Sequence, residues 1–153
     1  RYIIEVGFLN RKRVRKMKKV LGPELLAGVA MLIVGMLLNR VFGVLFPSIN
    51  AEYTNSALFR PWSDPLMSYI FVHPFVVGII LAWVWDKTKG LFKERDVFWK
   101  CCQFAAAYWL VTIPGMFISY STFPVSFTMI FSWSLSGLLQ VIAAGLVFVK
   151  KNP

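Results

Sequence analysis

Four long apolar segments alternate with short polar or charged segments along this chain. They cover about residues 23–46, 65–85, 97–119 and 124–149. A helix that crosses about 30 Å of hydrocarbon needs about 20 mostly apolar residues, because lipid offers the backbone no hydrogen-bonding partners. Each segment meets this length, and short connections make neighbouring helices antiparallel. The pattern predicts an all-α membrane protein, folded as an antiparallel bundle of four transmembrane helices.

The first apolar segment has a second interpretation, because Lys18 and Lys19 precede it as they would precede the apolar part of a cleaved signal peptide. That part spans only about 7 to 15 residues, whereas the segment here is longer and is interrupted by Asn39 and Arg40. We therefore favour a membrane-spanning helix, with Pro23 in its first turn.

Residues 1–20 precede that helix and form a basic segment that we expect on the cytoplasmic side. The chain begins with Arg1, and Met17 followed by two lysines is typical of a bacterial start. Two alternatives stay open for residues 1–16, a longer native N terminus or an artificial extension.

The distribution of basic residues predicts the orientation of the helices. Eight of the 17 Lys and Arg residues precede the first span, five lie between Lys87 and Lys100, and two lie at the C terminus. Only Arg40 and Arg60 fall on the other side. Lys and Arg are enriched in cytoplasmic loops, so we expect both termini in the cytoplasm and the chain in the plasma or inner membrane.

The composition supports this environment and bears on the partners. Hydrophobic residues make up 58% of the chain and charged residues 16%, whereas an average soluble domain is about 45–50% apolar and about 25% charged. The net charge is +10, but no nucleic-acid-binding motif accompanies it. We expect the bilayer as the partner, with anionic headgroups at basic residues 11–19, and no nucleic acid.

Small and weakly polar residues recur at helical spacing on the first and fourth spans. Residues four apart share one face of a helix, and small side chains allow helix backbones to approach closely. This pattern predicts helix packing, within the bundle or in a homo-oligomer, and a polar lining for a solute path is the alternative. The residues are Gly28, Gly35, Asn39, Gly43, Ser136, Gln140 and Ala144, with Ser132 continuing the stripe on the fourth span.

A second set of polar residues lies at similar depth in all four spans. At about 1.5 Å per residue, each lies about 10 to 12 Å inside the outer end of its helix. A buried arginine at this depth needs a partner or must extend toward the interface, and two loop acids are candidates. The set comprises Arg40, His73, Thr112 and Ser132, with Asp64 and Glu52 as the acids.

Residues that could carry chemistry are few. His73 is the one histidine, and a metal site needs three or four ligands, so we expect neither a metal nor another cofactor. Cys101 and Cys102 are adjacent and form no C-x-x-C pair. We interpret them as structural thiols, although a redox or palmitoylation role is an alternative. No catalytic residues are assigned.

Three short stretches bear a likeness to known proteins: RPWSDP at 60–65, ISYSTFP at 118–124, and Trp133 with Gly137. In these stretches the chain resembles the small four-helix membrane proteins of unknown function that bacterial and archaeal genomes encode. The resemblance implies a four-helix membrane fold and no activity that can be carried over.

Three functions remain open on this basis. We favour a non-enzymatic membrane module, which would be an accessory subunit or a small homo-oligomer. The first alternative is a carrier or channel for a small solute or ion that uses the outer polar set. The second is a membrane enzyme acting on a lipid or quinone with His73 as its base, but a partner carboxylate for such a base is missing from the spans apart from Glu24 near one end.

Overall fold

The computed structural model describes the backbone of residues 2–93 and 96–152, and the side chains of residues 22–93 and 96–152. Within this part of the chain the structure is helical and contains no strand. The helices are α1 (Tyr2–Leu45), α2 (Pro47–Thr54), α3 (Tyr69–Thr88), α4 (Val97–Thr122) and α5 (Phe127–Lys151). Short 3-10 helices, Pro65–Ser68 and Lys89–Leu91, precede and follow α3.

Four of these elements are long and apolar enough to span a membrane. They are Gly22–Leu45 within α1, Pro65–Leu91 around α3, Val97–Thr122 and Phe127–Lys151. The predicted four-helix membrane bundle is confirmed.

The ends of the helices differ from the expected ones at three places. Pro23 lies inside α1, because one proline removes a single backbone hydrogen bond and does not have to end a helix. Pro47 begins the additional helix α2, where its missing N–H costs nothing. The last helix begins at Phe127 and not at Pro124, because the side chain of Ser126 accepts a hydrogen bond from the Met129 N–H and caps the helix.

The spanning helices pack in the spatial order α3, α1, α5, α4. Helix α1 packs along both α3 and α5, and α5 packs along both α1 and α4. In the described part of the chain α3 and α5 touch only locally, and the backbones of α3 and α4 make at most marginal contact. Helices α3 and α4 follow one another in sequence, but they are the first and the last helix in this spatial order.

One end of the bundle, which we call the basic end, is where α3 and α5 finish and α4 begins. A cluster of aromatic rings closes it: the Trp85 ring lies 5.3 Å from that of Phe104 and 6.0 Å from that of Phe92, between centroids. Phe104 in turn lies 6.3 Å from Phe148 of α5. The indole N–H of Trp85 donates to the Asn152 carbonyl at 2.8 Å, so α3 and α4 are joined to α5 at this end by side chains.

The other end, which we call the cap end, is covered by α2. Ile49 of α2 is buried, and it belongs to a second apolar core with Phe42 of α1 and Met129 of α5. Half-buried apolar side chains, among them Leu38 and Trp133, pack against this second core. The fold thus has two cores, one at each end.

Candidate functional site

The polar residues expected in the outer leaflet do not meet in the interior of the bundle. Arg40 and His73 are both exposed on the surface of their helices. Thr112 is half-buried, and its hydroxyl donates to the Trp109 carbonyl of its own helix at 2.7 Å. Ser132 is buried and donates to the Met129 carbonyl, also at 2.7 Å. The two hydroxyls are satisfied locally and point to no shared polar site.

The two loop acids have partners other than Arg40. Asp64 pairs with Arg60, whose Nη1 lies 2.8 Å from its carboxylate, and it also accepts from the Leu66 N–H at 2.9 Å. The hydrogen bond from Arg60 is the main reason that the pKa of Asp64 is lowered. Among the described residues Arg40 forms no ion pair. The expected pair between Arg40 and a loop acid is therefore replaced by the local pair with Arg60, four residues away in the same loop.

Glu52 serves the cap end instead. Its carboxylate accepts a hydrogen bond at 2.8 Å from the backbone N–H of Ser126, the residue that caps α5. A carboxylate is favourable at this place, because the N terminus of a helix carries partial positive charge. Glu52 thereby fastens α2 to the first turn of α5.

Two further hydrogen bonds hold α2 in place. The indole N–H of Trp133 donates to the Tyr53 hydroxyl at 2.6 Å, and the Asn50 amide donates to the Gly43 carbonyl at 2.9 Å. Burial raises the pKa of Tyr53, although the bond from Trp133 opposes this effect. The sequence carried a signal for this element, since Pro47 can open a helix and Asn50 and Tyr53 are three residues apart, which places them on one face.

The glycines expected to pack helices lie at close contacts. A β-carbon on Gly28 would lie 2.6 Å from the Phe75 ring of α3, and one on Gly78 would lie 3.0 Å from the Glu24 carbonyl of α1. Helices α1 and α3 therefore cross backbone to backbone. A β-carbon on Gly35 would lie 3.2 Å from the Gln140 amide of α5, and one on Gly43 would lie 2.7 Å from Asn50.

The other members of the packing set are less uniform. Ala144 is fully buried and Ser136 is half-buried, whereas Asn39 is exposed. Cys101 is buried where α4 meets α5, since a β-carbon on Gly145 would lie 3.2 Å from its side chain. Cys102 is half-buried, and both thiols are free.

The bundle is open on one side toward the cap end, between α3 and α4. No residue is buried from 65 to 73 on the α3 side or from 106 to 124 on the α4 side. Among the large apolar side chains on this half of α4, Val111 is exposed at 78% of the maximum and Phe117 at 72%. At the basic end α3 and α4 are in contact through Trp85 and Phe104. Toward the cap end the two helices do not fill the space between them.

The bottom of this open side is formed by α5 at Gly137. This residue shares a helix face with the buried side chains Ile130, Val141 and Ala144, to which it is related by seven or four residues. A β-carbon at Gly137 would nevertheless meet no atom within 4 Å. We call the space between α3 and α4 above Gly137 the open cleft.

A metal centre is not formed by the described residues: they contain no group of three His, Cys, Asp or Glu side chains placed to hold an ion. The open cleft is instead bordered mainly by apolar side chains. Such a surface can bind another apolar surface, for example that of a helix.

No protein-family model, no curated protein and no solved structure matches this chain. The resemblance to small prokaryotic four-helix proteins therefore stays a prediction, and the function has to be argued from the geometry.

Proposed function

We propose that this protein is a non-enzymatic membrane module that forms a small homo-oligomer through the open cleft. The single observation that carries the proposal is the cleft itself, in which a β-carbon on the inward-facing Gly137 of α5 would meet no atom of another described element within 4 Å. Small residues at such positions allow a further helix to approach closely, which is how helices associate in lipid, where no hydrophobic effect drives them together.

The same molecule supplies a complementary surface for the cleft. The outer half of α4 projects Val111 and Phe117 away from its own bundle, while the cleft offers an open glycine on α5. A two-fold arrangement in which α4 of each copy enters the cleft of the other would satisfy both surfaces at once. A second copy is therefore the occupant that we propose.

Two other functions find less support in the geometry. A carrier or channel would need Arg40 and His73 to line an interior path, but both side chains are exposed on the surface of the bundle. An enzyme with His73 as base would need a partner carboxylate, and among the described residues no hydrogen bond or ion pair joins His73 to an acid.

Replacement of Gly137 by leucine tests the proposal. The new side chain fills open space in its own chain, so the fold should persist, but it blocks the approach of a second copy. We expect the wild-type protein to be a dimer in lipid nanodiscs or mild detergent, as measured by native mass spectrometry, and Gly137→Leu to be a monomer with an undiminished unfolding temperature.

The matched control is Gly22→Leu, because a β-carbon at Gly22 also meets nothing within 4 Å and Gly22 lies at the basic end of the α1 span. This variant should remain a dimer. A wild-type protein that is monomeric at every ratio of protein to lipid, or that associates only with a different polypeptide, would overturn the proposal. A Gly137→Leu variant that remains dimeric would do the same.

Cysteine cross-linking locates the interface independently. Phe117 and Val44 are almost equally exposed, at 72% and 71%, but Phe117 lies on the half of α4 that enters the cleft of the second copy in the proposed dimer, whereas Val44 lies on α1. In a background without Cys101 and Cys102, Phe117→Cys should cross-link two copies and Val44→Cys should not.

A further inference from the structure

A shallow groove runs between α1 and α5 at the basic end, on the surface of the bundle. Leu26, Leu146 and Val147 form its walls, and its volume is about 150 Å³. This volume resembles that of an apolar cavity that accepts a molecule the size of benzene. It can therefore hold a segment of an acyl chain but not a whole lipid.

The mouth of the groove is basic. Lys150 and Lys151, in the last turn of α5, line it and are exposed. Three described acids lie at this end. Asp86 lies 3.9 Å from Lys87 and accepts from Asn152, and Asp96 caps α4 by accepting from the Trp99 N–H at 2.9 Å. Glu24, two residues before Leu26 on α1, is buried and pairs with no described lysine. Among the described residues neither lysine of the groove has an acidic partner.

Charge and shape select the same kind of ligand. Two uncompensated ammonium groups at the end of a membrane span attract an anionic headgroup, and the apolar walls begin directly beside them on the membrane side. A lysine near a helix end reaches the interface with its charge while its stem lies along apolar surface. A phospholipid has the matching arrangement, with a phosphate next to the start of its chains.

We propose that this groove binds one anionic phospholipid, with its phosphate at Lys150 and Lys151 and the first part of one acyl chain against Leu26, Leu146 and Val147. The site is distinct from the basic residues 11–19, whose side chains lie outside the described part of the structure. It is also remote from the open cleft, so it does not depend on the proposed oligomer.

Lipid competition on the full-length protein tests the charged half of the site. Delipidated protein is titrated with phosphatidylglycerol or phosphatidylcholine of the same chain lengths, and bound lipid is counted by native mass spectrometry. We expect one phosphatidylglycerol to bind in preference to phosphatidylcholine. Replacing both Lys150 and Lys151 by alanine should reduce that preference about 30-fold, from the contribution of two basic residues near the surface.

The control removes two exposed lysines at the same end, Lys87 in the last turn of α3 and Lys93 in the loop after it, through Lys87→Ala with Lys93→Ala. It lowers the net charge equally and should leave the preference unchanged. An equal loss of preference in both double variants would show a diffuse effect of charge and would overturn the proposed site.

A second pair of variants tests the apolar half. Leu26→Trp should fill the groove and weaken binding of phosphatidylglycerol, whereas Leu25→Trp should not. The two side chains are similarly exposed, at 46% and 51%, but Leu25 does not line the groove. Soluble glycerol phosphate should compete poorly, because it lacks the chain. Efficient competition by glycerol phosphate, or unchanged binding in Leu26→Trp, would overturn the assignment to a lipid.

Discussion

A minority of the described polar side chains in this protein join different helices, mainly at the two ends of the bundle, whereas most of the hydroxyl groups bond within their own helix. At the cap end Trp133 of α5 donates to Tyr53 of α2 at 2.6 Å. At the basic end Asn152 accepts from the Lys89 ammonium at 2.6 Å through its side chain and from Trp85 through its carbonyl. A small number of hydrogen bonds thus joins the ends of the helices to one another.

The substitution Tyr53→Phe tests the contribution of one such bond. It leaves the half-buried indole N–H of Trp133 without its acceptor, and an unsatisfied buried donor costs about 1–3 kcal/mol. We expect a lower free energy of unfolding, measured by denaturant titration in detergent. Tyr120→Phe is the control, since Tyr120 is exposed. Equal stability of the two variants would show that the bond with Trp133 is not needed.

Sequence reasoning identified polar residues better than it identified their partners. Depth along a helix can be counted from the sequence, but rotation about the helix axis depends on which neighbour the helix packs against. Arg40 and His73 were placed at similar depth, yet both are on exposed surfaces. Asp64 was paired with the distant Arg40, whereas the closer Arg60 satisfies it at 2.8 Å.

At the scale of the helices, close approach at glycine decides which pairs form. The contact of α1 with α3 has glycine on both sides, because Gly28 and Gly78 each lie against the backbone of the other helix. The contacts of α5 with α1 and with α4 include Gly35 and Gly145. Where an inward-facing glycine has no neighbour, at Gly137, the bundle is open.

This difference between glycines gives a prediction about stability. Gly28→Ala would place a β-carbon 2.6 Å from the Phe75 ring and 2.9 Å from its α-carbon. Helices α1 and α3 must then separate, and overpacking of this kind costs about 1–3 kcal/mol. Gly137→Ala should be neutral or slightly stabilising, because alanine favours a helix and the space is empty. Thermal unfolding of both variants in detergent provides the measurement, and a stable Gly28→Ala variant would contradict the close crossing.

The long helices were predictable from the sequence because apolar length is a strong signal, whereas α2 was missed because its eight residues are too few to span a membrane. Pro124 predicts an earlier start for α5 than the structure shows, since the helix begins at Phe127 after Ser126. The side chain of Ser126 supplies the cap that determines the first turn.

For the whole molecule, the remaining prediction is its orientation. Fifteen of 17 basic residues lie before the first span, between Lys87 and Lys100, or at the C terminus. We expect all three regions in the cytoplasm. Reporter fusions after Asn152 and near Asn55 should show a cytoplasmic C terminus and an external 46–64 region, and an external reporter at the C terminus would contradict this orientation.

The openness between α3 and α4 could not have been predicted from hydropathy. Lipid is as apolar as the interior of the bundle, so a helix face can be apolar whether it packs against another helix or faces lipid. Residue polarity therefore does not distinguish the two kinds of face. The sequence therefore indicates how many long apolar helices there are, but not which pairs leave a space between them.

The pairing of the first spanning helix with the last one has a consequence for biosynthesis. The end of α5 follows the end of α1 by about 100 residues, so at about 5–20 residues per second α1 waits about 5–20 s for this partner after leaving the ribosome. During that interval α1 can pack only against α2, through Gly43 and Asn50, and against α3, through Gly28 and Gly78. Helix α5 packs along both α1 and α4. A nascent chain that stops before α5 therefore leaves α1 and α4 without the partner that joins them. Completion of the bundle therefore depends on α5, the last of the described helices to be made.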